Sequence, residues 1–68
     1  MNVLVNGRSI DLDEGATVAD LVERVAPHRA GRGLAVAING EVVARTEWDE
    51  APLSPDDQVE VLTAIGGG

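Results

Sequence analysis

Val3-Leu4-Val5 is a short apolar run that stops at Asn6-Gly7, and Ile10 and Leu12 then alternate with polar neighbours. Asn-Gly between two such runs is a strong hairpin signal, because a type I′ turn needs positive φ at both central residues. The pattern predicts strands near 2–6 and 8–12. Asp13-Glu14-Gly15 interrupts it, and Thr17 then stands where an N-cap would, with Asp20 three residues on to complement the helix dipole. Val18, Leu21, Val22 and Val25 follow at helical spacing and give one apolar stripe. Pro27 closes this helix, since the residue before proline is pushed out of the α region. His28 to Gly33 reads as a loop.

The second half repeats the first device. Ala35-Val36-Ala37-Ile38 is a compact apolar strand, Asn39-Gly40 turns it, and Glu41-Val42-Val43-Ala44 runs back. From Arg45 to Asp57 the chain is polar and carries Pro52 and Pro55, which predicts turns anchored by Trp48 and Leu53. Gln58 to Thr63 alternates cleanly and is the last strand. Two strands, a helix, two strands, an irregular stretch and a final strand give an α+β fold. Its simplest closure is a β-grasp, a mixed sheet curled over one helix with the last strand parallel to the first. Parallel neighbours need a long crossover, and the intervening chain supplies it. The domain is expected over residues 1–65, with a glycine tail at 66–68.

Composition narrows the chemistry. A chain of 68 residues forms one domain, and one of this size buries only about 60% of the surface its unfolded form exposes, so a deep enzyme cleft is not expected. Twelve acids against five arginines give a net charge of -7, which repels nucleic-acid phosphates and anionic lipid. Nucleic acid and membrane are therefore not expected partners. There is no cysteine, hence no disulfide framework and no thiolate metal site. The amino terminus lacks a signal-peptide pattern and no apolar run nears the length of a membrane span, so the expected location is the cytoplasm.

The oddest feature is Gly66-Gly67-Gly68 directly after a strand. Glycines lack side chains and can lie extended in a narrow channel of another protein. A free α-carboxylate is an anion at neutral pH and a poor electrophile, so it needs activation by another enzyme before anything is attached. Taken alone, the triglycine is equally well a frayed terminus.

Thr63-Ala64-Ile65-Gly66-Gly67-Gly68 resembles the terminus of the ThiS family of thiamine-biosynthesis sulfur carriers, ubiquitin-like β-grasp proteins whose final strand runs into Gly-Gly. The likeness extends through Met1 to Asn6, Ala16-Thr17-Val18-Ala19-Asp20-Leu21-Val22, Ala35 to Asn39 with Val42-Val43, Arg45 with Trp48, and Leu53 to Val61. The resemblance implies that Gly68 is the modified residue. In the family a ThiF-like adenylating enzyme uses ATP to form the terminal acyl-adenylate. A persulfide-derived sulfur then displaces AMP, and the thiocarboxylate delivers sulfur to thiazole synthase. Gly67 matches the other half of the diglycine, and Gly66 is an additional glycine. No cofactor is expected on this chain, because ATP belongs to the activating enzyme.

Other chemistry finds little support. His28 is the single imidazole and reads as a solvated loop residue. Asp56-Asp57 within Ser-Pro-Asp-Asp are turn formers rather than metal ligands. The absence of lysine excludes a Walker-type phosphate loop, and Ser9 or Ser54 with one loop histidine makes no triad. Arg24, Arg29 and Arg32 read as a solvated face. Strand alternation places Leu4 and Leu62 opposite their apolar neighbours, which predicts an exposed docking patch if the first and last strands are adjacent. Competing readings are the small subunit of molybdopterin synthase, whose aromatic-proline segment is missing here, a sulfur carrier for another pathway, and a ubiquitin-like modifier. A chain without lysine cannot form lysine-linked polymers of itself.

Overall fold

The computed structural model describes residues 1–29 and 32–63. Asn6 (φ 51) and Gly7 (φ 84) take the positive φ that a type I′ turn requires, as do Asn39 (φ 50) and Gly40 (φ 89). The first turn joins β1 (Asn2–Val5) to β2 (Arg8–Asp11), and the second joins β3 (Leu34–Ile38) to β4 (Glu41–Val43). With β5 (Gln58–Thr63), the described strands form one sheet in the order β2-β1-β5-β3-β4. β1 and β5 are parallel neighbours, and β5 is antiparallel to β3. The expected mixed β-grasp sheet is the sheet observed. The domain boundary expected at Ile65 and the tail at 66–68 lie outside the described residues.

The helix α1 (Val18–Val25) begins where its sequence signals place it. Thr17 Oγ1 accepts from the Asp20 N–H at 3.3 Å, and Asp20 Oδ2 accepts from the Thr17 N–H at 2.9 Å, a reciprocal capping box. Replacing Thr17 with Ala should cost about 1 kcal/mol, read as a lower midpoint in chemical denaturation with an unchanged slope.

One face of the sheet packs on α1. Val3, Val5, Val36 and Val59 come from the strands and Val18, Leu21 and Val22 from the helix, with Leu12, Ala16, Trp48 and Leu53 completing the buried cluster. Alternation dictates this: odd positions of β1 and β5 face inward, leaving Leu4, Gln58, Glu60 and Leu62 on the outer face.

Three local expectations are corrected. Val25 does not complete the buried stripe; it is 38% exposed, and Ala26 takes the last buried place. Ala26 keeps its N–H bond to the Val22 carbonyl (2.8 Å) but leaves helical geometry (φ -144, ψ 59), so the apolar face ends with the helix ahead of Pro27. His28 lies in a short 3-10 turn, Pro27–Arg29, rather than in loop from its first residue. Arg45–Glu50, expected as irregular turn, is a 3-10 segment. Its anchor is Trp48, buried and donating from Nε1 to the Val43 carbonyl at 3.1 Å. The chain after it is sewn to the start of α1: Val18 N–H donates to Ala51 O (2.9 Å) and Leu53 N–H to Ala16 O (2.8 Å).

Candidate functional site

The site follows from where β5 lies. It is the middle strand of the sheet, held on both edges, and it leads directly into residues 64–68. A segment leaving a central strand starts from a fixed point, whereas one leaving an edge hairpin starts from the most mobile part of a sheet. Gly66, Gly67 and Gly68, the residues expected to carry the chemistry, lie outside the described residues.

Leu4 and Leu62 both lie on the outer face, 38% and 59% exposed, but they do not meet. Register is the reason: Leu4 pairs with Gln58, so Leu62 stands four residues further along β5, about 13 Å at a strand's rise per residue. Gln58 and Glu60 fill the interval. Leu4 instead lines a shallow groove of about 460 Å³ with Asn6, Gly7, Gly40, Gln58 and Glu60. The neighbours of Leu62 come from the other side: Ala35 is its direct partner on β3, and Ala37 is in turn paired with Val42 of β4, which is 80% exposed. The apolar part of the outer face is therefore Leu62, Ala35, Ala37 and Val42, at the end of the sheet nearest the tail. The alternation of Ala35, Ala37 and Val42 was present in the sequence, but nothing local said which strand would lie beside β5.

Side-chain amides hold β5 at both ends. Asn6 donates from Nδ2 to the Val61 carbonyl and accepts at Oδ1 from the Val61 N–H, both at 3.0 Å. Asn39 Oδ1 accepts from the Gln58 N–H at 3.0 Å, and its Nδ2 donates to Asp57 Oδ1 at 3.1 Å. Asp57 Oδ2 also accepts from the Ser54 N–H at 2.8 Å, and Asp56 adopts φ 68, so this acidic pair forms the turn that starts β5.

The arginines serve local structure. Arg24 Nη1 donates to the Asp11 carbonyl at 3.2 Å, and Arg29 Nη1 to the Arg32 carbonyl at 3.4 Å. His28 is exposed. Among the described residues no group of three or more His, Asp and Glu is placed to hold a metal ion, and no helix is long and apolar enough to cross a membrane.

A family model described as the ThiS family matches residues 3–68. This chain belongs to the ThiS family. The match runs through β5 and the three terminal glycines together, so the tail is part of the family pattern. The chain is 32% identical over 68 residues to the sulfur carrier protein ThiS of Escherichia coli K12, covering all of both chains. Among solved structures, this ThiS-family chain superposes on the crystal structure of the thiamine biosynthesis protein ThiS from Geobacter metallireducens. The TM-score is 0.78 with 35% identity, again over all of both chains. A solution structure of a thiamine biosynthesis protein from the same organism gives a TM-score of 0.78 and 34% identity, covering all of this chain and 88% of the other.

Proposed function

We propose that this chain is a sulfur carrier of thiamine biosynthesis that holds sulfur as a thiocarboxylate on Gly68 and gives it up for thiazole formation. As a ThiS-family member it is acted on rather than acting. The observation that supports the reading most directly is the coverage of the family match, which takes in the whole grasp domain and the glycine tail as one unit.

The chemistry divides between chain and partners. The Gly68 carboxylate attacks ATP in the active site of a ThiF-like adenylating enzyme, releasing pyrophosphate and leaving the acyl-adenylate. The outer sulfur of a persulfide donor then displaces AMP to give an acyl persulfide, and a thiol cleaves its S–S bond, taking up the donor sulfur as a disulfide and releasing the carrier's sulfur. The resulting thiocarboxylate is a nucleophile and reaches thiazole synthase on the same tail. Gly66 and Gly67 let the tail lie extended in both partners' channels, where a Cβ would widen it. On this reading the chain binds no cofactor of its own and works in the cytoplasm, where a cysteine-free chain is at home. The test is intact-mass measurement after incubation with the activating enzyme, ATP and a sulfur donor. The carrier gains the mass of sulfur replacing oxygen; a chain that never does so with a cognate activating enzyme refutes the reading.

The activating enzyme docks on the outer face through Leu62, close to where the tail departs. Leu62→Asp should slow activation about tenfold or more, as loss of a central apolar contact does. The fold should survive, because Leu62 is 59% exposed and surface changes cost within about 0.5 kcal/mol. Steady-state adenylation measured beside a thermal melt separates the two effects, and unchanged kinetics would reject the patch.

A further inference from the structure

β5 outlasts its parallel neighbour. Leu4 N–H donates to Asp57 O and Asn6 N–H to Val59 O, both at 2.9 Å, so the odd-numbered residues here turn their backbone groups toward β1. Asn39 N–H donates to Gln58 O at 2.7 Å, so the even-numbered residues turn theirs toward β3. The next rung on the β1 side belongs to Val61. At that level β1 has already ended and the chain is reversing through Gly7, so no backbone is available to meet it. The Asn6 side chain meets it instead, with a pair of 3.0 Å bonds that two successive peptide groups of a longer β1 would supply. A carboxamide has the same donor and acceptor as a peptide unit, and it does here what a longer β1 would do.

We propose that Asn6 is the positioning residue of the tail: its carboxamide adds one rung to β1, holds β5 at Val61 on the edge opposite β3, and so aims the segment that departs after Thr63. This rests on the carrier reading above. Without the Asn6 amide, β5 beyond Val59 is held along β3 alone and can swing about that single edge. The Gly68 carboxylate lies seven residues beyond Val61 in sequence, and the Val61 rung is the last described hold on the β1 side of the chain that leads to it. The turn accepts asparagine or glycine at its φ of 51. Asparagine is the residue that satisfies the turn and also supplies the rung.

The informative variant is Asn6→Gly, which keeps the positive φ and the backbone N–H bond to Val59 while removing the amide. Amide exchange followed by NMR should show the Val61 N–H exchanging about tenfold faster, with Val59 unchanged, as loss of one local hydrogen bond predicts. In sulfur loading, kcat should fall about tenfold while KM for the carrier stays within about twofold, since the docking face is intact and reach to the active site is what suffers. Asn6→Asp keeps the turn and the acceptor but loses the donor, and its kcat should fall between the two. Loading by Asn6→Gly at the wild-type rate overturns the proposal, as does a loss of loading that merely follows a lowered melting temperature. Wild type is assayed in parallel: if it loads and the variant loads equally, only the positioning role fails, whereas a wild type that takes up no sulfur removes the carrier reading and this role with it.

Discussion

Removing Gly68 should abolish sulfur loading while leaving the domain folded. The buried cluster draws on residues from Val3 to Val59, and the last two described residues, Leu62 and Thr63, are both exposed. Removing Gly68 takes away none of the buried contacts among the described residues, and truncation should alter stability by at most a few tenths of a kcal/mol, as other surface changes do. On the proposed reading loading has no such tolerance, because the carboxylate to be adenylated is itself the terminal atom group. A tail one residue short must still bring its carboxylate to the same point in the partner, and a misplacement of about 1 Å can cost about 100-fold in rate. Gly67→Phe should have the same effect by a different route, with the length kept and the extended tail too wide for a narrow channel. Intact-mass spectrometry after incubation with the activating enzyme, ATP and a sulfur donor reads both, beside a thermal melt of each variant. A truncated chain that acquires sulfur as fast as the intact one would show that the partner does not read the tail's length, and peptide mapping of the intact chain that finds the sulfur elsewhere would show that Gly68 is not the modified residue.

Leu21→Ala should be the most damaging single change in the fold. Leu21 is fully buried, 0% exposed, on the face of α1 that meets the sheet. Leucine-to-alanine changes at such sites cost about 2–5 kcal/mol. A domain this small has only about 3–10 kcal/mol of total stability, at the usual 0.05–0.15 kcal/mol per residue. The melting temperature should fall by roughly 10 °C or more. Val25→Ala is the control: it lies on the same nominal stripe but is 38% exposed, and should cost under about 1 kcal/mol. Calorimetry of the two variants distinguishes them, and equal losses would mean that the helix packs through a longer face than the structure shows.

Helix periodicity named Val25 as readily as Leu21, and the two differ because burial depends on how far the sheet extends beneath the helix. The irregular stretch before β5 went the same way. Arg45–Glu50 holds no glycine or proline to break it, yet its 3-10 winding rests on Trp48, whose ring is buried and whose Nε1 finds the Val43 carbonyl. That anchor exists only once β4 and α1 are in place. The functional residues divide likewise. Gly66 to Gly68 stood out in the sequence and became a candidate tail through the family resemblance, whereas the rung that Asn6 supplies did not, because an Asn-Gly turn already accommodates an asparagine there.

By itself the sequence determined whatever is settled within a few residues. The Asn-Gly turns follow from the φ these residues tolerate, the start of α1 from the reciprocal Thr17 and Asp20 bonds, and its end from Pro27. The inward and outward faces of β1 and β5 follow from alternation alone. Tertiary structure decided the register. β1 and β5 meet only through a crossover that spans most of the chain, and no local preference sets how far one slides along the other. Packing on α1 sets it, placing Leu4 beside Gln58 rather than beside Leu62. That choice split the expected docking patch, gave Leu62 its neighbours Ala35, Ala37 and Val42, and left at Val61 the open rung that the Asn6 amide fills.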